Sequence, residues 1–234
     1  MKVVILAGGL GTRLSEYTKT IPKPMVVVNG KPILVRIMNS FYRAGFNDFY
    51  IALGYKGHII KNFFKKYKNK NWKVTLVNTG KKTMTGGRLK RLKKFLGHKT
   101  FFMTYGDGIS DVNLKKLLKF HMKNKKLVTL TAVRPPARFG YLKIKNNTVS
   151  YFKEKSNLDE GWINGGFFVI NPNFFKYIKS DKTLLEKEPL ETISKNKQLA
   201  AFKYSGFWYC MDTARDKIVL DKLLKKKKFK KIFD

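Results

Sequence analysis

The chain is poor in cysteine, acids and long apolar runs, and each shortage removes a class of protein. Cys210 is the single cysteine among 234 residues. It excludes an internal disulfide framework and fits a reducing compartment. No window holds 18 consecutive apolar residues, so no transmembrane helix and no membrane partner is expected. The apolar run at the N-terminus is too short for a signal peptide and ends in glycines, so a cytoplasmic location is expected. The three histidines, His58, His98 and His121, have no visible Ser-His-Asp or Cys-His partners. Acids are scarce: 15 against 50 basic residues gives a net charge of +35. The excess is lysine, 42 residues against eight arginines, scattered over the whole length. Arginine dominates specific base contacts, whereas lysine alone gives diffuse attraction. A specific nucleic-acid partner is therefore not expected, but the field should favour anionic substrates.

Two familiar glycine motifs are also missing. No lysine follows Gly11 as a Walker loop requires, and Leu14 stands where the dinucleotide fingerprint needs glycine. What is present is Val3-Val4-Ile5-Leu6-Ala7, then Gly8-Gly9-Leu10-Gly11-Thr12-Arg13, then Pro22-Lys23-Pro24-Met25. The β-branched run suits a strand buried on both faces. The glycines bring bare backbone close to a ligand, and consecutive loop N–H groups can nest an anion. Arg13 adds a fork of donors for phosphate, and Lys23 is held on stiff chain between two prolines. Together these residues suggest a cradle for a nucleoside triphosphate; the competing reading is a plain glycine turn after an edge strand.

Farther on, apolar spacing predicts helices over 33–41 and 58–67 and strands over 49–53 and 73–77. The alternation predicts a mainly parallel sheet with right-handed crossovers, which binds ligands at the carboxyl ends of its strands. Phe101 to Tyr105 reads as a buried strand ending in Gly106-Asp107-Gly108. An aspartate flanked by glycines there can reach into a site, and Mg²⁺ takes one or two carboxylates with phosphate and water, so Asp107 is a candidate metal ligand. An Asp-Gly hairpin turn is the alternative. Strands are also expected at 127–133, at a hairpin over 141–153, at 167–170 after Asn164-Gly165-Gly166, and at 199–204. Helices are expected over 112–122, 174–178, 184–195 and 213–224. Glu186, Glu188 and Glu191 read as surface charge, Asp111 as structural, and the run 225–231 as a solvated charge tail. One domain over 1–234 is expected, with a nucleotide-binding half to about residue 133 and a sugar-binding half after it.

The segments 6–14 and 22–25 resemble the signature of the sugar-1-phosphate nucleotidyltransferases. So do Thr83-Met84-Thr85-Gly86-Gly87-Arg88-Leu89, Tyr105-Gly106-Asp107-Gly108, Arg138-Phe139-Gly140, Asn164-Gly165-Gly166 and Gly206-Phe207-Trp208 with Met211-Asp212-Thr213. Within that family the likeness is strongest to the branch that transfers cytidylyl groups to glucose 1-phosphate. It implies a Rossmann-like α/β fold, CTP and glucose 1-phosphate as substrates, and Mg²⁺ as cofactor. It also implies a homo-oligomer and a product, CDP-glucose, for deoxysugar and surface-polysaccharide synthesis. UTP or dTTP as the nucleotide is the alternative within the family, and a regulatory or nucleic-acid-binding protein that kept the fold is the alternative outside it. By resemblance, Leu6 to Arg13, Lys23, Thr83, Gly87, Arg88 and Gly106 would bind nucleotide. Gly140, Glu154, Lys155 and Asn164 would bind sugar phosphate. Asp107 and Asp212 would share the metal, with Arg13, Lys23 and Asp107 catalytic. Asp212 also reads as an N-cap. The chain departs from the family at Ser156 (usually proline), at Tyr209-Cys210 (usually Gln-Pro), and in a shortened connection from Lys68 to Trp72.

Overall fold

A computed structural model describes residues 1–136, 140–154 and 161–234. Seven strands form one sheet in the spatial order Leu199–Tyr204, Val128–Val133, Ile163–Ile170, Phe101–Tyr105, Lys2–Ala7, Asp48–Leu53, Lys73–Asn78. Every neighbouring pair is parallel except those of Ile163–Ile170, which runs antiparallel to both its neighbours. Helices cover both faces, the α/β architecture expected. Alternation along the first strand shows why. Val3, Ile5 and Ala7 pack in one core with Ile33, Ile37 and Phe41, while Val4 and Leu6 pack in a second core with Leu89, Leu92 and Leu96. A strand buried on both sides reads as an unbroken apolar run for this reason.

The winding reverses at this strand. The chain first moves outward to Asp48–Leu53 and Lys73–Asn78, then returns to the other side of Lys2–Ala7 as Phe101–Tyr105. Crossovers leaving in opposite directions open a crevice at the carboxyl ends of the two central strands. The glycine loop and Gly106-Asp107 both leave from that edge. The shortened connection closes tightly: Trp72 sets its ring edge-on to Phe49, centroids 5.7 Å apart, and tilted against Tyr67 at 5.9 Å. Among the described residues no helix is long and apolar enough to cross a membrane.

Several expectations need correction. Asn164-Gly165-Gly166 lies within the strand Ile163–Ile170, where the register breaks between Asn164 and Phe168. Two glycines hid the strand because they weaken its propensity while permitting the bulge. The expected helix over 184–195 begins only at Glu188, and 172–177 is a 3₁₀ turn. The lysines of the basic tail are exposed, as expected, but the segment is packed helix rather than free chain. Lys227–Phe233 is a helix whose Phe229 and Phe233 are buried and pack on Phe207, with centroids 4.2 and 6.0 Å away. Asp234 beyond it pairs with the buried Arg36 at 2.6 Å. Phenylalanines four residues apart share one helix face even inside a lysine run.

Candidate active site

The first wall of the crevice is the glycine loop. Its shape is held from beneath, where Gly8 lets Arg88 pass close by. A β-carbon at Gly8 would come within 2.3 Å of the Arg88 guanidinium and 2.9 Å of the Gly54 backbone nitrogen. Tyr55 N–H donates to Gly8 C=O at 3.1 Å, and the Thr18 hydroxyl donates to Gly11 C=O at 3.0 Å. Above this support lies a cleft of about 250 Å³ lined by Leu6, Gly9, Gly11, Thr12, Arg13, Lys23, Gly106 and Asp107, with Pro24, Thr85 and Tyr105. Ala7 and Gly8 are buried under it, and Leu10 is half exposed. Gly106 packs against Pro24 and Leu6 C=O, where a β-carbon would sit 2.8 and 3.0 Å from them.

Asp107 and Asp212, 105 residues apart in sequence, meet at Lys23. Lys23 Nζ donates to Asp107 Oδ2 at 2.6 Å and to Asp212 Oδ1 at 2.7 Å, and Arg13 reaches Asp212 Oδ2 at 2.9 Å. A small ladder brings the two carboxylates together. Gly108–Ser110 pairs antiparallel with Trp208–Cys210, Gly108 lies opposite Cys210, and Met211 N–H donates to Asp107 C=O at 3.0 Å. Tyr209-Cys210, the departure from the family pattern, is therefore ordinary strand. Asp212 is not the N-cap of the helix Ala214–Leu224. Thr213 is, in a capping box with Asp216, and Asp216 also accepts the Asp212 N–H at 3.1 Å. The cap frees the Asp212 side chain for the cleft.

Charge sets the protonation states here. Burial alone would depress the Lys23 ammonium, but Asp107 and Asp212 outweigh it and hold its pKa above the usual lysine value. Burial pushes Asp212 up, yet Lys23 and Arg13 prevail and its pKa lies below the usual carboxylate value. Burial, then Asp107 and Asp212, pushes the Cys210 thiol well up, so it stays protonated. One ligand atom from each of Asp107, Cys210 and Asp212 falls within 4.8 Å of the others. Two carboxylates at this spacing fit a hard divalent cation that fills its other positions with water and phosphate oxygen; a neutral thiol does not contribute to that set.

A second cleft, about 390 Å³, meets the first at Arg13, Tyr105 and Asp107 and is also lined by Asn164, Gly165, Gly166, Glu186, Trp208 and Asp212. Gly166 holds φ +77°, and a β-carbon there would strike the Tyr105 ring at 2.7 Å. Asn164 Oδ1 accepts the Gly166 N–H at 2.9 Å, and Trp208 Nε1 donates to Gly165 C=O at 2.7 Å. Glu186 is exposed, as expected, and also lines this wall. It was missed because the loop before the helix Glu188–Lys195 carries no motif of its own. Glu188 pairs with Lys179, as surface charge should.

Several candidates line neither cleft. Arg88 is 4% exposed and directs its guanidinium to Thr79 Oγ1 at 2.8 Å and Gly80 C=O at 2.7 Å. Burial, then Arg91, lowers its pKa from the usual guanidinium value. It packs beneath Gly8 and ties down residues 79–81 rather than lining the cleft. Gly87 faces Asp181, whose backbone would lie 2.4 Å from a β-carbon, and Thr83 is buried beside Gly80. The expectation that these three face the nucleotide came from the family resemblance. Gly140 and Glu154 lie beside each other, on and next to the hairpin Tyr141–Lys145 and Thr148–Lys153, and line neither cleft. Lys155 lies outside the described residues.

A larger groove of about 570 Å³ lies at the edge strand Lys73–Asn78, between Lys61, Tyr67 and Trp72. It holds no carboxylate and no glycine loop, so the chemistry points to the paired clefts instead.

Comparison with known proteins agrees with that choice. A family model for nucleotidyl transferases matches residues 2–213. The chain is 46% identical to the glucose-1-phosphate cytidylyltransferase of Salmonella typhimurium, the match covering 97% of each chain. It is 38% identical to the probable glucose-1-phosphate cytidylyltransferase of Bacillus subtilis, covering 95% of this chain and 96% of that one. The crystal structure of HddC from Yersinia pseudotuberculosis complexed with GMP-PN superposes with a TM-score of 0.76 at 28% identity, covering 95% of this chain and 99% of that one.

Proposed function

The chain belongs to the nucleotidyl transferase family, and we propose that it joins CTP and glucose 1-phosphate to give CDP-glucose and pyrophosphate. The observation that carries this reading is the 46% identity over nearly the full length of a glucose-1-phosphate cytidylyltransferase. The convergence of Lys23, Asp107 and Asp212 supports it.

The sugar phosphate oxygen is already an anion, so attack on the α-phosphorus needs no strong general base. Catalysis then rests on alignment and neutralisation of charge. The glycine-loop amides and Arg13 hold the triphosphate and steady the departing pyrophosphate. Lys23 has two acceptors in the free protein and exchanges one for phosphate oxygen. Asp107 and Asp212 would hold Mg²⁺, which would supply Lewis-acid neutralisation of phosphate charge. Asn164 receives the sugar phosphate in the second cleft, and the family resemblance alone adds Lys155 to it. A soluble cytoplasmic homo-oligomer supplying CDP-glucose to deoxysugar and surface-polysaccharide synthesis is the setting this proposal assumes.

A pyrophosphate-release assay with CTP, UTP, dTTP and GTP against several sugar 1-phosphates tests it. The expected result is highest kcat/KM with CTP and glucose 1-phosphate, lost in EDTA and restored by Mg²⁺. Preference for UTP or dTTP overturns the base assignment. No turnover with any pair, together with steeply salt-dependent RNA binding, overturns the enzyme reading.

A further inference from the structure

Glu186 enters the second cleft from the loop before the helix Glu188–Lys195. One hydroxyl donates to each of its oxygens: Tyr105 to Oε1 and Thr85 to Oε2, both at 2.6 Å. Both donors are fixed in turn. Leu185 N–H donates to Thr85 Oγ1 at 2.9 Å. The Tyr105 ring is fixed by edge-on packing against Phe168, centroids 5.8 Å apart. The Glu186 carboxylate is thus held by groups from two other segments of the chain.

A carboxylate oxygen has two lone pairs, so each Glu186 oxygen keeps capacity for one more donor. In a chain with 50 basic residues, Glu186 makes no ion pair among the described residues. The other carboxylates of the cleft, Asp107 and Asp212, are both engaged by cations. An anionic acceptor without a cation repels phosphate and suits neutral hydroxyl donors. We infer that Glu186 is a specificity-determining residue for the sugar: its carboxylate accepts hydrogen bonds from ring hydroxyls of a hexose 1-phosphate bound beside Asn164. This rests on the sugar-1-phosphate reading of the same cleft. Discrimination follows, because an analogue lacking the matched hydroxyl forfeits a charge-assisted hydrogen bond to Glu186.

The test compares Glu186→Gln and Glu186→Ala with the unaltered enzyme, using glucose 1-phosphate and its 2-, 3-, 4- and 6-monodeoxy analogues. Thermal melting selects the variant that is folded, and the isosteric Gln keeps the packing. The expected result is a loss of about 10- to 100-fold in kcat/KM for the sugar phosphate, the scale of one charge-assisted hydrogen bond. KM for CTP should stay within about 2-fold. At least one deoxy analogue should be penalised about 10-fold or more in the unaltered enzyme and less than about 3-fold in the variant, since the lost partner no longer matters. Equal penalties in both proteins, or parallel losses for nucleotide and sugar, would reduce Glu186 to a brace for Tyr105 and overturn the inference. If the unaltered enzyme ignores glucose 1-phosphate, the substrate assignment fails by itself, and the same comparison runs on whichever sugar 1-phosphate it does turn over.

Discussion

The wall made by Gly8 to Lys23 and the wall made by Tyr105, Asn164, Glu186 and Trp208 border the same crevice but are assembled differently. The first is continuous chain. Its suitability for an anion follows from bare backbone and two cations within 16 residues, and it is supported by Tyr55, Thr18 and the buried Arg88 packed beneath Gly8. The second is drawn from four distant segments, joined by a glycine bulge, a short ladder and a carboxylate gripped by two hydroxyls. A wall that must bind the triphosphate common to all nucleotides can be a local motif. A wall that must distinguish sugars needs acceptors and donors placed at particular points in space, and only tertiary contacts supply those.

The contrast can be broken most forcefully where the walls join. Asp107→Asn should lower kcat by at least about 10²-fold with little change in melting temperature, because one electrostatic stabiliser of the transition state is lost. Near-normal steady-state turnover in that variant would remove Asp107 from the chemistry. Lys23→Ala comes next. It leaves two neighbouring carboxylates without their shared cation and should destabilise the metal-free protein by about 2 kcal/mol. Millimolar Mg²⁺ should stabilise this variant more than the parent, because the ion then meets unneutralised ligands. Calorimetry with and without Mg²⁺ reads both effects, and an equal Mg²⁺ response in the two proteins contradicts the shared-cation arrangement.

Gly8→Ala probes the first wall alone. The added β-carbon meets a guanidinium held by several hydrogen bonds and the Gly54 backbone, so about 1–2 kcal/mol of stability should be lost through overpacking. KM for CTP should rise while the sugar phosphate KM stays level; a reversed pattern would mean that the walls do not divide the substrates. The smallest effect lies outside both walls. His121 is 3% exposed, touches Thr129 Oγ1 at 2.9 Å, and burial lowers its pKa from the ordinary 6.5. The unfolded chain therefore takes up the proton first as pH falls. The stability contribution is complete above about pH 6.5 and is lost as pH drops toward the folded value, by up to ~1.4 kcal/mol per unit. His121→Gln should flatten that slope in urea melts between about pH 6.5 and 5, and leave kcat at pH 7.5 unchanged.

Sequence legibility follows the same division. The helix Ile33–Arg43 and the strands Lys2–Ala7, Asp48–Leu53 and Lys73–Asn78 have periods matching their burial, so pattern alone found them. The helix Lys227–Phe233 was masked by its charge, since two phenylalanines among lysines give a weak pattern. The placement of Arg88 beneath the loop rather than in the cleft was equally hidden, because a buried and a ligand-facing arginine look alike as letters. Glu186 had no motif, and its partners Tyr105 and Thr85 lie 81 and 101 residues away.

By itself the sequence determined the glycine cradle, the parallel framework and the family, because each rests on residues close together in the chain whose spacing carries the physics. Only the folded chain decided that Asp212 leaves its helix cap to Thr213 and joins Asp107 at Lys23, and that Glu186 faces a cleft. Those outcomes depend on strand register and on packing between remote segments, and neither quantity is local to any stretch of sequence.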